Sequence, residues 1–372
     1  MVAENNIKSS EVSVVVQGPI HAIRTKKTLR SIRKHLPDAE IILSTWENSN
    51  LDDLDFDILI LNKDPGNVRQ KGFKKKALFN NINRMILSTN EGLKKVSRKY
   101  TLKLRTDSCI DNLGFIEKFD FFPARCDKYK LFEKRVIAST VFTRYAIEKH
   151  KERREMPFHV SDWWFFGLTS DVKKLLLAAE LVDEPYFSNY FEYPENQNKD
   201  SIYEKFSWKF APEQYIGYSC FSKYFDDVRM IDCSEFSEFI NKKSQMALAN
   251  NFIFLEYKQS GIYNLKYLSS KKEMMLGNQY LDLYTFYNFE LEYKKYCDSN
   301  YIPTGDSSFS GDRKTSYKLL RFYKHLQKLV DSESSLSTRL EQIFFGIPIS
   351  AIGLIPILIT MKLKKGRKNE IK

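Results

Sequence analysis

Cysteine is scarce in this 372-residue chain: five residues (Cys109, Cys126, Cys220, Cys233, Cys297), with no Cys-x-x-Cys spacing. An odd count without paired spacing argues against a disulfide framework and against a zinc cluster, and it fits a reducing compartment. The N-terminus, MVAENNIKSSEVSVVVQG, lacks a basic region followed by an apolar stretch and a cleavage site, so secretion is not expected. No internal repeat or low-complexity tract is present. The first apolar run is not followed by a Gly-rich phosphate loop with a lysine, which weighs against a nucleotidyltransferase. What is abundant is aromatic and basic: 28 Phe and 21 Tyr, and 59 Lys plus Arg against 47 Asp plus Glu, for a net charge of +12. A Phe-rich core accounts for most of the aromatics, although such rings also suit sugar-stacking sites and membrane interfaces. The charge favours a polyanionic partner without choosing between nucleic acid, anionic lipid and a nucleotide diphosphate. Basic residues concentrate near 24–35, 69–76 and 313–328, and no nucleic-acid-binding motif accompanies them. No nucleic-acid partner is therefore expected, and a basic binding or scaffold protein is the runner-up reading.

The apolar pattern alternates between strand and helix. Val12 to Val16 is a β-branched run stopped by Gln-Gly-Pro, which predicts a buried parallel strand. Residues 25–36 carry Leu29, Ile32 and Leu36 at helical spacing, and Pro37 ends that helix. Ile41 to Trp46 and Phe56 to Leu61 predict two further strands, the second closed by a Lys-Asp-Pro-Gly turn. Ile82, Met85, Ile86, Leu93 and Val96 share one helical face, and Tyr100 to Thr106 predicts a strand ending at Asp107. Such alternation implies a mainly parallel, Rossmann-like sheet that binds ligands beyond the C-terminal ends of its strands. Past residue 135 the pattern is mixed, and 185–220 is rich in Tyr, Phe, Asn and Glu.

The strongest local signal is KLRTDSCID, a strand carrying Lys103 and Arg105 that ends at Asp107. A hard cation that neutralises a diphosphate wants carboxylate oxygens at the mouth of a sheet, and cationic side chains can clamp the same phosphates. Asp107 is thus a candidate metal ligand, although an Asp also commonly caps the turn after a strand. Asp111 lies too far along to help. Gln17 could pair with a pyrimidine edge, and Gly18 permits close backbone approach. Asp64 could hold ribose hydroxyls or form an ordinary Asx turn before Pro-Gly. In HVSDWWFFG (159–167) a polar set lies among aromatics, which is costly to bury and so points to a cleft. Asp162 is the candidate general base there, and Trp163 or Trp164 could stack on a sugar; His159 reads as a structural histidine. Glu213, in Ala-Pro-Glu-Gln, suits a helix first turn or serves as an alternative base.

Several segments together carry a family resemblance: VVVQGPI (14–20), PDAEIILSTW (37–46), NKDPG (62–66), NINRMILSTNEGLKKV (81–96) and YTLKLRTD (100–107). In that combination the chain resembles the WavE family of lipopolysaccharide-synthesis proteins over roughly residues 11–290. More broadly, it resembles the nucleotide-binding half of the A-type glycosyltransferase fold. The resemblance implies sugar transfer from a nucleotide-sugar donor to a glycolipid or oligosaccharide acceptor of lipopolysaccharide core, O-antigen or capsule. Residues 11–134 would hold the donor and 135–300 the acceptor. A divalent cation, Mn or Mg, would be the cofactor. The Asp-x-Asp motif common in that fold is missing, since Thr-Asp-Ser occupies 106–108. Asp107 would then be the segment's sole metal ligand, or Arg84 and Arg105 would neutralise the diphosphate without a metal.

The C-terminal part reads as a basic helical linker (301–342) and an apolar helical tail (343–372). Residues 343–361 hold 19 uncharged residues, but Gly346, Pro348, Gly353 and Pro356 interrupt them. The basic KLKKGRK that follows belongs on the cytoplasmic side, where the donor also is. A peripheral or monotopic anchor on the anionic cytoplasmic face of a bacterial inner membrane meets both demands.

Overall fold

The computed structural model describes residues 7–71, 79–149, 152–197, 207–266 and 281–305. Its centre is a seven-stranded sheet made of β1 (Val12–Gln17), β2 (Glu40–Trp46), β3 (Ile58–Asn62), β4 (Tyr100–Arg105), β5 (Val136–Ser139), β6 (Phe165–Leu168) and β7 (Phe252–Leu255). The spatial order is β3-β2-β1-β4-β6-β5-β7. Every pairing is parallel except the two made by β6, which runs antiparallel to β4 and β5. The protein is therefore a mixed α/β structure with a mostly parallel sheet. Strands from both sides of residue 134 share that sheet, and Met1–Ser308 form one compact unit. A second unit, Phe309–Lys372, lies outside the described residues, as do the basic stretch and the apolar tail. Among the described residues no helix is long and apolar enough to cross a membrane.

The β-branched run of β1 is buried at every position, as a central strand covered on both faces requires. Helix α1 (Ala22–His35) returns the chain from β1 to β2. It begins three residues earlier than the apolar spacing predicts, because Ile23 is exposed and lies off the Leu29–Ile32–Leu36 stripe. Helix α2 (Ile82–Lys94) covers β1 and β2 with Ile82, Ile86 and Leu93. The third strand starts two residues later than predicted. Asp57 accepts a hydrogen bond from the Ile41 amide at 2.7 Å and pairs with Arg33, which holds the chain outside the ladder until Ile58. Helices α3 (Thr169–Leu176), α4 (Pro212–Tyr224), α5 (Glu238–Asn251) and α6 (Phe286–Tyr296) complete the larger elements.

Aromatic side chains fill much of the core: Phe115 and Phe119 meet Phe166 edge-on at 4.9 and 5.5 Å, and Phe122 packs against Phe289 at 4.8 Å. All five cysteines are free thiols. Glu292, on α6, is buried and accepts a hydrogen bond from the Tyr284 hydroxyl at 2.6 Å. Burial pushes its carboxyl up to about 8, and the Tyr284 bond offsets only part of that. Folded-state proton affinity thus exceeds that of the unfolded chain. The stability linked to this group is complete below the usual carboxyl range and is lost as pH rises through about 8. The slope is at most about 1.4 kcal/mol per pH unit. Glu292→Gln keeps an acceptor for Tyr284 and removes the titration. Thermal unfolding between pH 6 and 9 is expected to show a shallower decline for the variant, with a midpoint at pH 9 at or above the parent's. Parallel declines in the two proteins would refute this.

Candidate active site

The C-terminal ends of β1, β2 and β4 open into a cavity of about 660 Å³. Gln17, Trp46 and Arg105, the last residues of those strands, line it, and Asp64 joins from just beyond β3. This is where a mostly parallel sheet offers a ligand the backbone of its strand-to-helix turns. Gly18 turns the chain out of β1 with φ of +118°, a conformation open to glycine at little cost. A Cβ there would stand 3.4 Å from the Thr106 hydroxyl, which itself donates to the Pro19 carbonyl at 2.7 Å.

Gln17 is buried, and its side-chain oxygen accepts a hydrogen bond from Ser88 on α2 at 2.7 Å. The amide nitrogen is the end left to meet a ligand. Asp64 and Arg84 form a two-pronged ion pair, both N···O distances being 2.6 Å, and Arg84 also donates to the Asn81 side chain at 3.0 Å. The guanidinium holds the Asp64 carboxyl below its ordinary range. These two residues, read separately from the sequence, act as one unit on the cavity wall.

Asp107 is buried at the edge of the cavity. Its Oδ1 accepts from Asn264 at 2.8 Å and pairs with Arg105 Nε at 3.2 Å. Asn264 arrives because Ile262–Asn264 pairs antiparallel with Ser108–Ile110. Oδ2 remains for a ligand. Among the described residues no group of three or more His, Cys, Asp or Glu side chains could enclose a metal. With one free carboxylate oxygen, Asp107 would supply a single ligand to a hard cation. Asp111 lies elsewhere, its carboxylate taking a hydrogen bond from Tyr257.

Asp162 and Glu213 line the same cavity. Helix α4 lies directly on the segment before Asp162: a Cβ on Gly217 would stand 2.1 Å from the Phe158 carbonyl oxygen, and Gln214 donates to the Pro157 carbonyl at 3.1 Å. The first turn of α4 is thereby set beside Asp162. Burial, followed by the Asp162 charge, pushes the half-buried Glu213 carboxyl up to about 7. Among the described residues the Asp162 carboxylate makes no hydrogen bond or ion pair, so it caps neither a turn nor a helix there. Trp163 lines the cavity with Phe142, ring centroids 5.1 Å apart. Trp164 points into the core against Phe115. His159 is buried outside the cavity wall, with Nδ1 lacking a hydrogen-bond partner, and burial followed by the Arg144 charge holds it well below the usual histidine range.

Gln17, Gly18, Asp64, Arg84, Arg105, Asp107, Asp162 and Glu213 all line this one cavity. A model of the family described as WavE lipopolysaccharide synthesis matches residues 12–322. The chain belongs to the WavE family. That places it in lipopolysaccharide synthesis, and the cavity-lining residues from Gln17 to Lys266 fall within the matched span. No curated protein matches the chain.

Sequence reasoning missed several residues of this WavE cavity. Arg24 lines it from the first turn of α1, without an ion pair or hydrogen bond among the described residues. Trp46, Trp208 and Lys266 line it as well. Trp46 could have been found as the last residue of a predicted strand. Trp208, Lys266 and Asn264 lie in stretches with no periodicity, and nothing local marked them.

Proposed function

We propose that the chain is a glycosyltransferase that moves a sugar from a nucleotide-sugar donor onto a glycolipid or oligosaccharide acceptor in lipopolysaccharide, O-antigen or capsule assembly. The observation that carries this reading is the convergence of cations, carboxylates and aromatic rings on one cavity at the strand ends. The nucleotide would lie along Gln17, Gly18 and the Asp64–Arg84 pair. Its diphosphate would meet Arg24 and Arg105 near the amino end of α1, where backbone N–H groups also favour negative charge. Asp107 Oδ2 would hold a divalent cation, Mn or Mg, which when bound neutralises the leaving diphosphate. Trp163, Trp208 and Phe142 offer apolar faces to the acceptor sugar, and Asp162 or Glu213 takes the proton from its attacking hydroxyl. The mostly parallel sheet with one reversed strand supports an arrangement of the A-type glycosyltransferase kind. Such an enzyme would work at the cytoplasmic face of the inner membrane, held there by the C-terminal tail.

The test is protection from thermal unfolding by UDP-, GDP- and CMP-sugars, with and without manganese. Ligand at a hundred times its Kd stabilises by about 2.7 kcal/mol, which is a shift of about 5 °C for a domain of this size. One nucleotide class is expected to give that shift and the others little. If no class protects under either condition, the reading fails.

A further inference from the structure

Lys103 has no part in the chemistry above, yet it is one of the largest fully buried side chains in the protein. It sits in β4, paired in register with Val15 of β1 and Phe165 of β6, in the middle of the sheet. Its ammonium donates to the backbone carbonyl of Asp162, and it stands 6.0 Å from the Phe165 ring centroid. Replacing a buried charge by an apolar residue of similar volume is often neutral or stabilising, so stability alone does not explain a lysine here. The Asp162 segment is suspended from other buried polar groups too. The Ser161 amide donates to the Thr143 hydroxyl at 3.0 Å, and the Trp163 amide donates to the Ser161 hydroxyl at 3.2 Å. Burial lowers the Lys103 ammonium to about 8, while the charges of Asp162 and Asp107 help to retain its proton.

We propose that Lys103 is a positioning residue that holds the backbone of Asp162 from beneath and thereby fixes the Asp162 carboxylate over the cavity. Its charge is also attracted by Asp162 and Asp107, both of which line the cavity. The inference rests on the reading of this cavity as a sugar-transfer site, with Asp162 at its proton-accepting wall. A displacement of about 1 Å in such a group costs on the order of 10²-fold in rate.

The test uses Lys103→Met and Lys103→Gln in the full chain, with three readouts. Hydrogen exchange of the 159–165 backbone is expected to speed up about tenfold or more in Lys103→Met, as when a local anchor is lost. Thermal protection by the donor is expected to persist. With donor and acceptor supplied, kcat is expected to fall on the order of 10²-fold while the donor KM changes little. Lys103→Gln, which keeps a donor for the carbonyl but no charge, is expected to restore most of the exchange protection and only part of kcat. Unchanged exchange and unchanged kcat per folded molecule would overturn the proposal, as would an activity loss that merely tracks the unfolding midpoint. Should Lys103→Met fail to fold, Lys103→Gln decides: parental exchange with reduced kcat supports the proposal, and parental kcat overturns it. The exchange measurement needs no substrate. A parent that no nucleotide-sugar protects would therefore sink the transfer reading separately from the role of Lys103.

Discussion

Asp107→Asn is expected to abolish sugar transfer, by on the order of 10²–10³-fold at least, with the fold intact. The asparagine keeps an oxygen for the 2.8 Å hydrogen bond from Asn264 but loses the charge opposite Arg105. Arg105 is partly exposed at the cavity, so water can solvate it, and the unfolding midpoint is expected to fall by only a few degrees. Two causes of the activity loss separate in one further variant. If Asp107 acts by holding a cation, Arg105→Met is less damaging than Asp107→Asn, and only the parent and Arg105→Met respond to added manganese. If Asp107 acts by aiming Arg105, the two variants are equally impaired and their double variant is no worse. Near-normal turnover by Asp107→Asn in saturating manganese would remove Asp107 from the site altogether.

The parallel half of the sheet was legible because its strands are β-branched or apolar runs punctuated by Gly and Pro, and its helices show a clear apolar stripe. Val12–Gln17 and Tyr100–Arg105 are cases where pattern and structure coincide. The reversed strand was not legible. Phe165–Leu168 is four residues long, without alternation, inside a stretch that also holds His159, Asp162 and two tryptophans. A short apolar run shows that something is buried, but it carries no signal for direction or for sheet partner. The short β5 and β7 were silent for the same reason.

The site was legible to the extent that parallel strands aim their C-terminal ends at one place. Gln17, Arg105 and Asp107 are found by asking where predicted strands stop, and all three line the cavity. What a linear reading cannot supply is which side chains neutralise each other. The Asp64–Arg84 pair spans 20 positions and joins a loop to a helix, so the two were given separate tasks although they form one unit. Arg24 was lost because its helix begins before the predicted apolar stripe does. Lys103 was noted beside Asp107 with no sign of its burial, since a strand's pattern does not show which polar side chain lies inside the sheet.

The carboxyl pair Asp162 and Glu213 gives the other large effect. Removing a positioned general base typically costs on the order of 10²–10⁴-fold in rate, whereas losing a turn-capping Asp costs about 1 kcal/mol of stability and leaves chemistry nearly intact. Asp162 caps nothing among the described residues. Asp162→Asn is therefore expected to bind donor normally, to unfold within a few degrees of the parent and to lose most of its transfer rate. Glu213, pushed up to about 7 by burial and by the Asp162 charge, responds to the same substitution. Without that charge it releases its proton at lower pH, so any residual activity that uses Glu213 as the base gains an acid limb displaced to lower pH. Glu213→Gln separates the assignments. With Asp162 as the base, the glutamine variant keeps substantial rate and loses the inflection near pH 7. With Glu213 as the base, the glutamine variant is the dead one, and Asp162→Asn retains at least a tenth of the parent rate. A pair of variants that both retain that much would mean that neither carboxylate takes the proton, as expected of a transferase that keeps the donor's anomeric configuration and needs no such base.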